Sequence, residues 1–197
     1  MGLEHFVKKD LLVVNDFDRV ETLKIGNPNR YKTTSMCFNF MHKGQGITTT
    51  ARKIDRYKET FPDLVFDETH SYIELGAGLG GFVPYLVNKL QVKQKPVVVD
   101  VVDYFRMREI FLYVMMQKVD DVFKSQAAEF VRLCDIYLSD KIELHNVSIA
   151  DIDLLGRKFD CCVDLCGCSM YNEKFKSTKG VEKLVYSAKN SYVHVLS

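Results

Sequence analysis

The stretch SYIELGAGLGGFVPYLVN, residues 71–88, decides the fold because it joins an apolar strand, a glycine loop and the start of a helix. The apolar run ends at the acidic Glu74, and the chain then turns through Gly76, Gly78, Gly80 and Gly81. Glycine lets the backbone turn sharply and admits a ligand where a Cβ would collide. A loop of this kind predicts a site for a nucleotide-containing cofactor.

Glu74 distinguishes between the classes of cofactor that such a loop can hold. Gly76, Gly78 and Gly81 also satisfy the GxGxxG spacing of dinucleotide-binding domains, so the glycines alone do not decide. A carboxylate two positions before the first glycine stands where a diphosphate would rest, and a diphosphate needs amide donors there. An ammonium and a sulfonium group would gain from the carboxylate, which favours S-adenosylmethionine. A dinucleotide and a structural turn without a ligand stay open as alternatives.

The segment ELGAGLGG, residues 74–81, resembles the first motif of class I S-adenosylmethionine-dependent methyltransferases. The resemblance implies a Rossmann-like, doubly wound α/β sheet, and the alternation of strand-like and helix-like segments after Tyr72 predicts the same architecture. The residues that it would place around the cofactor are Glu74, Gly76, Ala77, Gly78, Gly80, Gly81 and Phe82.

The pattern after the glycine loop predicts the remaining elements of that sheet. Helices are expected over residues 81–90 and 104–138, the second broken near Lys124, and strands over 72–75, 97–102, 142–149 and 159–165. A last helix and strand are expected at 181–189 and 192–196. The near-continuous apolar character of residues 97–102 is typical of a parallel strand that is buried on both faces.

Four residues lie at or just after the carboxyl ends of the second and third predicted strands, and ligands of open α/β sheets lie beyond such strand ends. Asp100 and Asp103 come about 20 residues after the glycine loop, where a carboxylate would hold the ribose hydroxyls of the cofactor. Asp103 is equally suited to cap the following helix. Ser148 and Ile149 would lie against the adenine, although a polar loop without this role explains them equally well.

Asp164 ends the fourth predicted strand, beside the place that the methyl sulfonium would take. A carboxylate there is partly desolvated and needs a cationic partner. Methyltransferases that act on the amino groups of bases carry Pro-Pro-Tyr or Pro-Pro-Phe after an Asn or Asp at this place, and this chain has no such prolines. The acceptor is therefore expected to be a hydroxyl or another group.

Three segments resemble the FtsJ-like ribose 2′-O-methyltransferases, a group that includes the cap methyltransferase domains of RNA viruses such as flaviviruses. They are TARKIDRY at residues 50–57, GGF at 80–82 and DLCGCS at 164–169. The resemblance implies methyl transfer to an RNA ribose 2′-hydroxyl, and the capped 5′ end of a viral mRNA is one such substrate within the group. Of the Lys-Asp-Lys-Glu tetrad of that group, Lys53 would be the first lysine and Asp164 the aspartate. Lys53 would accept the hydroxyl proton or stabilise the alkoxide, and Asp164 would orient it.

The rest of that tetrad is not found at its expected positions. Residues 191–197 contain no lysine, and the glutamate would come from a strand beyond the fifth, after residue 197. Either the sheet is truncated after its fifth core strand, or the N-terminal strands complete it, or catalysis is rearranged or lost. A methyltransferase for a small molecule or a protein, and a non-catalytic cofactor-binding module, are the alternative functions.

The segment before the glycine loop is expected to divide at residue 47. Residues 1–47 read as an N-terminal extension with short strands at 11–14, 20–25 and 34–40. Residues 48–197 would form the methyltransferase domain, beginning with a helix over 51–60 that Thr48 to Thr50 would cap. Basic residues in the first third suggest RNA as a partner: Lys8, Lys9, Arg19, Lys24, Arg30, Lys32, Arg52, Lys53 and Arg56.

Composition sets limits on the class of protein without deciding the function. The chain has 197 residues and a net charge of +1, enough for one domain with a sizeable core and compatible with RNA or with no nucleic acid. No apolar run is long enough for a membrane span, so a cytoplasmic location is expected, or the host cytoplasm if the protein is viral. The six cysteines are expected to pack as apolar residues in a reducing compartment, and no metal site is expected.

Overall fold

The computed structural model describes residues 2–26, 35–42, 45–60, 62, 65–148 and 157–164; at 35–42 and 45–52 it describes the backbone. Within these residues the chain forms an antiparallel sheet of five strands and a parallel sheet of four strands, with helices around the second. The fold is therefore α/β, as the sequence pattern predicts. The expected helix at 181–189 and strand at 192–196 lie outside the described residues.

The antiparallel sheet is a meander in which each strand pairs with the next one along the chain. Its strands are β1 (Leu3–Lys8), β2 (Leu11–Asp16), β3 (Glu21–Gly26), β4 (Ser35–His42) and β5 (Gln45–Arg52). The strands expected in the N-terminal extension are confirmed, and β1 is an addition to them. Strand β5 spans position 47, where we expected the domain boundary.

The expectation that Thr48 to Thr50 cap a helix from residue 51 is wrong. These threonines belong to β5, where Thr48 pairs with Asn39 of β4 and the ladder continues to Arg52. Threonine is β-branched and favours a strand when a partner strand lies beside it. Helix α1 (Ile54–Thr60) follows the strand directly.

The parallel sheet consists of short strands, of which three are buried and one, β8, is partly buried. They are β6 (Tyr72–Leu75), β7 (Val97–Val99), β8 (Glu143–His145) and β9 (Cys161–Val163). All four were expected, with longer bounds for β7, β8 and β9. Strand β6 leads into α2 (Phe82–Tyr85), which continues as a π-helical turn over Leu86–Leu90.

Helices α3 (Tyr104–Met116) and α4 (Asp121–Tyr137) fill the connection from β7 to β8. The break between them lies at residues 117–120 and not near Lys124, where we expected it. Asp120 explains the position, because its side chain accepts a hydrogen bond of 2.8 Å from the amide of Val122 and so caps α4.

The order of the parallel strands is β8–β7–β6–β9. From β6 the chain moves outward to β7 and β8 and then returns to the other side of β6, so the order reverses between β6 and β9. Such a reversal opens a crevice at the carboxyl ends of the two strands, and ligands of open α/β sheets bind there. In this chain the glycine loop follows β6, and Asp164 follows β9.

One hydrophobic core joins the antiparallel sheet to the helices of the parallel sheet. Its members from the antiparallel sheet are Leu3, Leu12, Val14, Leu23 and Ile25. His5 of β1 shares a hydrogen bond of 2.9 Å with the hydroxyl of Tyr113 on α3, and Asp16 of β2 forms a buried ion pair with Arg106 of the same helix. The antiparallel sheet therefore has one face packed on α3. None of the helices in the described ranges combines the length and the apolar character that crossing a membrane requires.

Candidate functional site

Three buried carboxylates lie at the carboxyl edge of the parallel sheet. Glu74 is 1% exposed, Asp100 is 5% exposed and Asp164 is 0% exposed. The register aligns Glu74 with Val163 and Leu75 with Val99, so Asp100 and Asp164 each follow one residue after a residue paired with β6. The three residues predicted at separate places in the sequence are therefore brought to the ends of three adjacent strands.

The glycine loop depends on two backbone angles that favour glycine. Gly76 has a φ of 64° and Gly78 a φ of 55°, which side-chain-bearing residues rarely adopt. The amide of Gly76 donates to the carbonyl of Val99 at 2.8 Å, and the amide of Gly78 donates to Asp100 Oδ2 at 2.6 Å. The loop is thus folded back onto the end of β7.

Asp100 holds the loop in this position. Its Oδ1 accepts a second hydrogen bond, of 2.8 Å, from the amide of Val102. Burial raises the pKa of Asp100, and the hydrogen bonds from Gly78 and Val102 act in the opposite direction. The sequence predicted contact with a ribose for this residue, whereas the structure directs both of its oxygens to backbone amides.

Asp103 caps helix α3, which is one of the two roles that the sequence analysis considered for it. Its Oδ1 accepts a hydrogen bond of 2.9 Å from the amide of Arg106 at the start of α3, and its Oδ2 pairs with Arg19 in the turn between β2 and β3. The side chain stays about one third exposed, at 36%. Asp103 therefore links the antiparallel sheet to the carboxyl edge of the parallel sheet.

Three tyrosines form a layer beneath the glycine loop, and we call Tyr57, Tyr104 and Tyr137 the tyrosine layer. Tyr104 donates to the carbonyl of Gly78 at 2.7 Å, and Tyr137 donates to the carbonyl of Gly80 at 2.8 Å. The rings of Tyr104 and Tyr137 stack with centroids 4.7 Å apart and planes within 10°. Burial raises the pKa of both phenols far above 10, so both remain donors.

Glu74 faces the tyrosine layer, and its Oε1 accepts a hydrogen bond of 2.7 Å from Tyr57. We expected this carboxylate to face the cofactor directly. Side chains alternate along a strand, so Glu74 shares its side of the sheet with Tyr72, toward the helices. The negative charge therefore lies below the loop and not on its open side.

Gly80 is required by the close approach of Tyr57. A Cβ at this position would lie 2.2 Å from the Tyr57 hydroxyl oxygen and 3.0 Å from the carbonyl oxygen of Ala77. The ring of Tyr57 also stacks on Phe82 at 5.3 Å, so it has little room to move. Phe82, predicted beside the cofactor, is fully buried in the core, and Ala77 is 5% exposed.

The sequence analysis did not identify the tyrosine layer. Tyr57 lies in α1, Tyr104 at the start of α3 and Tyr137 at the end of α4, so no short motif connects them. The only local signal was an aromatic residue in each of three segments that pack on the loop. Their common role depends on tertiary structure.

The remaining predicted residues have different surroundings. Lys53 is exposed between β5 and α1, and Ser148 is partly buried after β8. Ile149 lies outside the described residues, as do Cys166 and Cys168. Cys161 and Cys162 are buried in β9, as expected for packing residues, and burial raises the pKa of Cys161 to about 12. In the described part of the chain no group of His, Cys, Asp or Glu is arranged to hold a metal ion.

Replacing Asp100 with asparagine is expected to lower the free energy of unfolding by about 1–3 kcal/mol. The side-chain NH₂ group of asparagine would face the backbone N–H of Gly78 or of Val102, and that N–H would lose its acceptor. Urea denaturation measures the loss. The exposed Asp140→Asn variant is the control, with an expected change within about 0.5 kcal/mol. Equal stability of the two variants would contradict the role assigned to Asp100.

No protein-family model, no curated protein and no solved structure was found to match this chain.

Proposed function

We propose that this protein binds S-adenosylmethionine at the carboxyl edge of its parallel sheet, in a class I methyltransferase fold, and transfers the methyl group. The observation that carries the proposal is the reversal of strand order between β6 and β9, with the glycine loop at one strand end and Asp164 at the other. Ligand sites of open α/β sheets occur at this point of the topology.

The charge of the edge supports a cationic cofactor over a diphosphate. Glu74, Asp100 and Asp164 are all buried within two residue steps of each other along adjacent strands. Negative charge in such a poorly solvated place opposes a diphosphate and favours an ammonium and a sulfonium group. The acidic edge therefore fits S-adenosylmethionine better than a dinucleotide, with Glu74 and Asp100 acting through their charge from below the loop and not by direct contact.

The residues have separate roles in this proposal. Gly76 and Gly81, the partly exposed ends of the glycine loop, would receive the cofactor, and Asp100 holds the loop through the amide of Gly78. Asp103 is then the proposed contact of the ribose hydroxyls, because its side chain is partly exposed; its oxygens would accept these bonds in addition to those from Arg106 and Arg19. Ser148 and Ile149 keep the adenine as their proposed contact.

We further propose an RNA ribose 2′-hydroxyl as the methyl acceptor, on the resemblance of the segments around Lys53 and Asp164 to FtsJ-like enzymes. The cofactor supplies an electrophilic methyl group. Lys53 takes up the hydroxyl proton or stabilises the alkoxide, and Asp164 orients the lysine. Lys53 is exposed, so RNA that covers it would lower the local dielectric and strengthen the attraction between the ammonium group and a developing alkoxide.

Two measurements test the proposal in sequence. Isothermal calorimetry with S-adenosylmethionine is expected to show binding in the micromolar range, and absence of binding rejects the proposed cofactor. Tritiated cofactor is then supplied with capped RNA, uncapped RNA or no RNA, and label is expected in RNA. Binding without transfer to any acceptor would identify a non-catalytic module.

A Lys53→Ala variant is expected to lose about 10²–10⁴-fold in the rate of methyl transfer to RNA, because that is the usual contribution of a positioned general base. Its affinity for S-adenosylmethionine is expected to stay unchanged. Lys89→Ala, at an exposed position after α2, is the control for lost positive charge. Full transfer activity in Lys53→Ala would exclude the proposed role of the lysine.

A further inference from the structure

The outer face of the antiparallel sheet, opposite the face on α3, carries the aromatic residue Phe6, which lies between Glu4 and Lys8 along β1. Register places Phe6, Val13 and Lys24 side by side across β1, β2 and β3, because cross-strand partners project to the same face. One step along the same face, Lys8 is paired with Leu11. We call this set of positions the outer face.

A groove of about 640 Å³ lies on the outer face. Its lining includes Phe6, Lys8, Lys9, Asp10, Val13 and Lys24. Phe6 is 48% exposed, although an aromatic side chain is normally buried in a core. The groove therefore presents one accessible ring face within a partly apolar floor.

The charge of the groove is positive. Among its lining residues, three lysines stand against one aspartate, Asp10. Lys8, Lys9 and Lys24 are exposed, and none of them forms an ion pair within the described ranges. Their charges are consequently available to an anionic partner.

We propose that the outer face binds single-stranded RNA, with a base stacked on Phe6 and backbone phosphates beside Lys8, Lys9 and Lys24. Stacking on an aromatic ring combined with lysines along a groove is the physical basis of single-strand recognition. A duplex would not fit this mode, because its bases are already stacked and its phosphates lie outside. The choice of RNA over DNA rests on the proposed function, and the outer face would hold the strand whose ribose is methylated.

The test is fluorescence anisotropy with a labelled single-stranded RNA of mixed sequence, measured without cofactor on the full chain. Phe6→Leu is expected to weaken binding about tenfold and Phe6→Tyr to restore it, because tyrosine stacks and leucine does not. The triple variant Lys8→Gln, Lys9→Gln, Lys24→Gln is expected to reduce the slope of log K against log salt by about two. The matched control is the triple variant Lys95→Gln, Lys118→Gln, Lys141→Gln, at exposed positions outside the groove, and thermal melting confirms that each variant is folded.

The proposal is overturned if single-stranded RNA does not bind, or if Phe6→Leu and the triple variant bind as the control does. Tighter binding of duplex RNA, of single-stranded DNA or of polyglutamate would likewise overturn it, by assigning the face to another partner. Calorimetry with S-adenosylmethionine separates this result from the proposed function. RNA binding without cofactor binding rejects the proposed cofactor site and keeps the outer face. Cofactor binding without RNA binding rejects the outer face and keeps the cofactor site.

Discussion

An Asp16→Ala variant is expected to lose about 3–5 kcal/mol of its free energy of unfolding, because removing one partner of a buried ion pair leaves a buried charge without compensation. Arg106 donates to Asp16 through Nε at 2.5 Å and through Nη2 at 2.6 Å. The side chains are 1% exposed for Asp16 and 9% for Arg106. Urea denaturation followed by circular dichroism measures the loss.

Asp18 provides the matched control for this variant. It lies 3.7 Å from Arg106, but its side chain is 58% exposed, so Asp18→Ala is expected to cost at most about 1 kcal/mol. The double variant Asp16→Ala, Arg106→Met removes both charges and is expected to be more stable than Asp16→Ala alone. If Asp16→Ala and Asp18→Ala lose equal stability, the ion pair of Asp16 and Arg106 does not stabilise the packing of the antiparallel sheet on α3.

The ion pair of Asp16 and Arg106 also makes the stability of the folded protein depend on pH in the acid range. The hydrogen bond from Arg106 holds the pKa of Asp16 below its ordinary value, although burial acts to raise it. A carboxyl group with a lowered folded-state pKa contributes stability above its unfolded-state pKa of about 3.9 and loses it as the pH falls further. Stability is therefore expected to fall below about pH 4, and the decline is expected to be shallower in Asp16→Asn.

The parallel sheet could be predicted from the sequence because each of its strands has a strong local signal. Residues 97–99 are a run of valines, and the glycine loop after β6 excludes continuation of the strand. Only the lengths were overestimated, since apolar residues such as Val102 continue into the loops, where tertiary contacts bury them. The threonines at 48–50 were misassigned because helix capping and strand pairing favour the same residue type, and the partner strand decided between them.

The candidate site was predicted in its position but not in its internal contacts. The sequence placed Glu74, Asp100 and Asp164 at strand ends, and the structure gathers them there. It did not indicate that Glu74 faces Tyr57 or that Asp100 binds the amide of Gly78, because both contacts join segments that are distant along the chain. Hydrogen bonds of this kind depend on the packing of α1 and on the path of the loop, which no local pattern encodes.

A Gly80→Ala variant is expected to lose about 1–3 kcal/mol of stability and much of its affinity for S-adenosylmethionine, because the added Cβ overpacks the tyrosine layer. The Cβ would lie 2.2 Å from the Tyr57 hydroxyl oxygen, and Tyr57 is held by its hydrogen bond to Glu74 and its stacking on Phe82. Either the loop or the ring must shift. Urea denaturation and calorimetry with the cofactor measure the two effects.

Tyr57→Phe provides the decisive comparison for this variant. Alone it removes a hydrogen bond to a buried carboxylate and is expected to cost about 1–3 kcal/mol. In combination with Gly80→Ala it also removes the oxygen in the 2.2 Å contact and leaves Cζ of the ring at 3.4 Å, an ordinary contact distance. The double variant is therefore expected to lose at least about 1 kcal/mol less than the two single variants together, since the effects of substitutions at residues in direct contact are not additive.

The carbonyl of Ala77, 3.0 Å from the added Cβ, keeps the recovery incomplete. Additive losses would show that Tyr57 does not determine the need for glycine at position 80, and the tyrosine layer would then be a core feature without control over the loop.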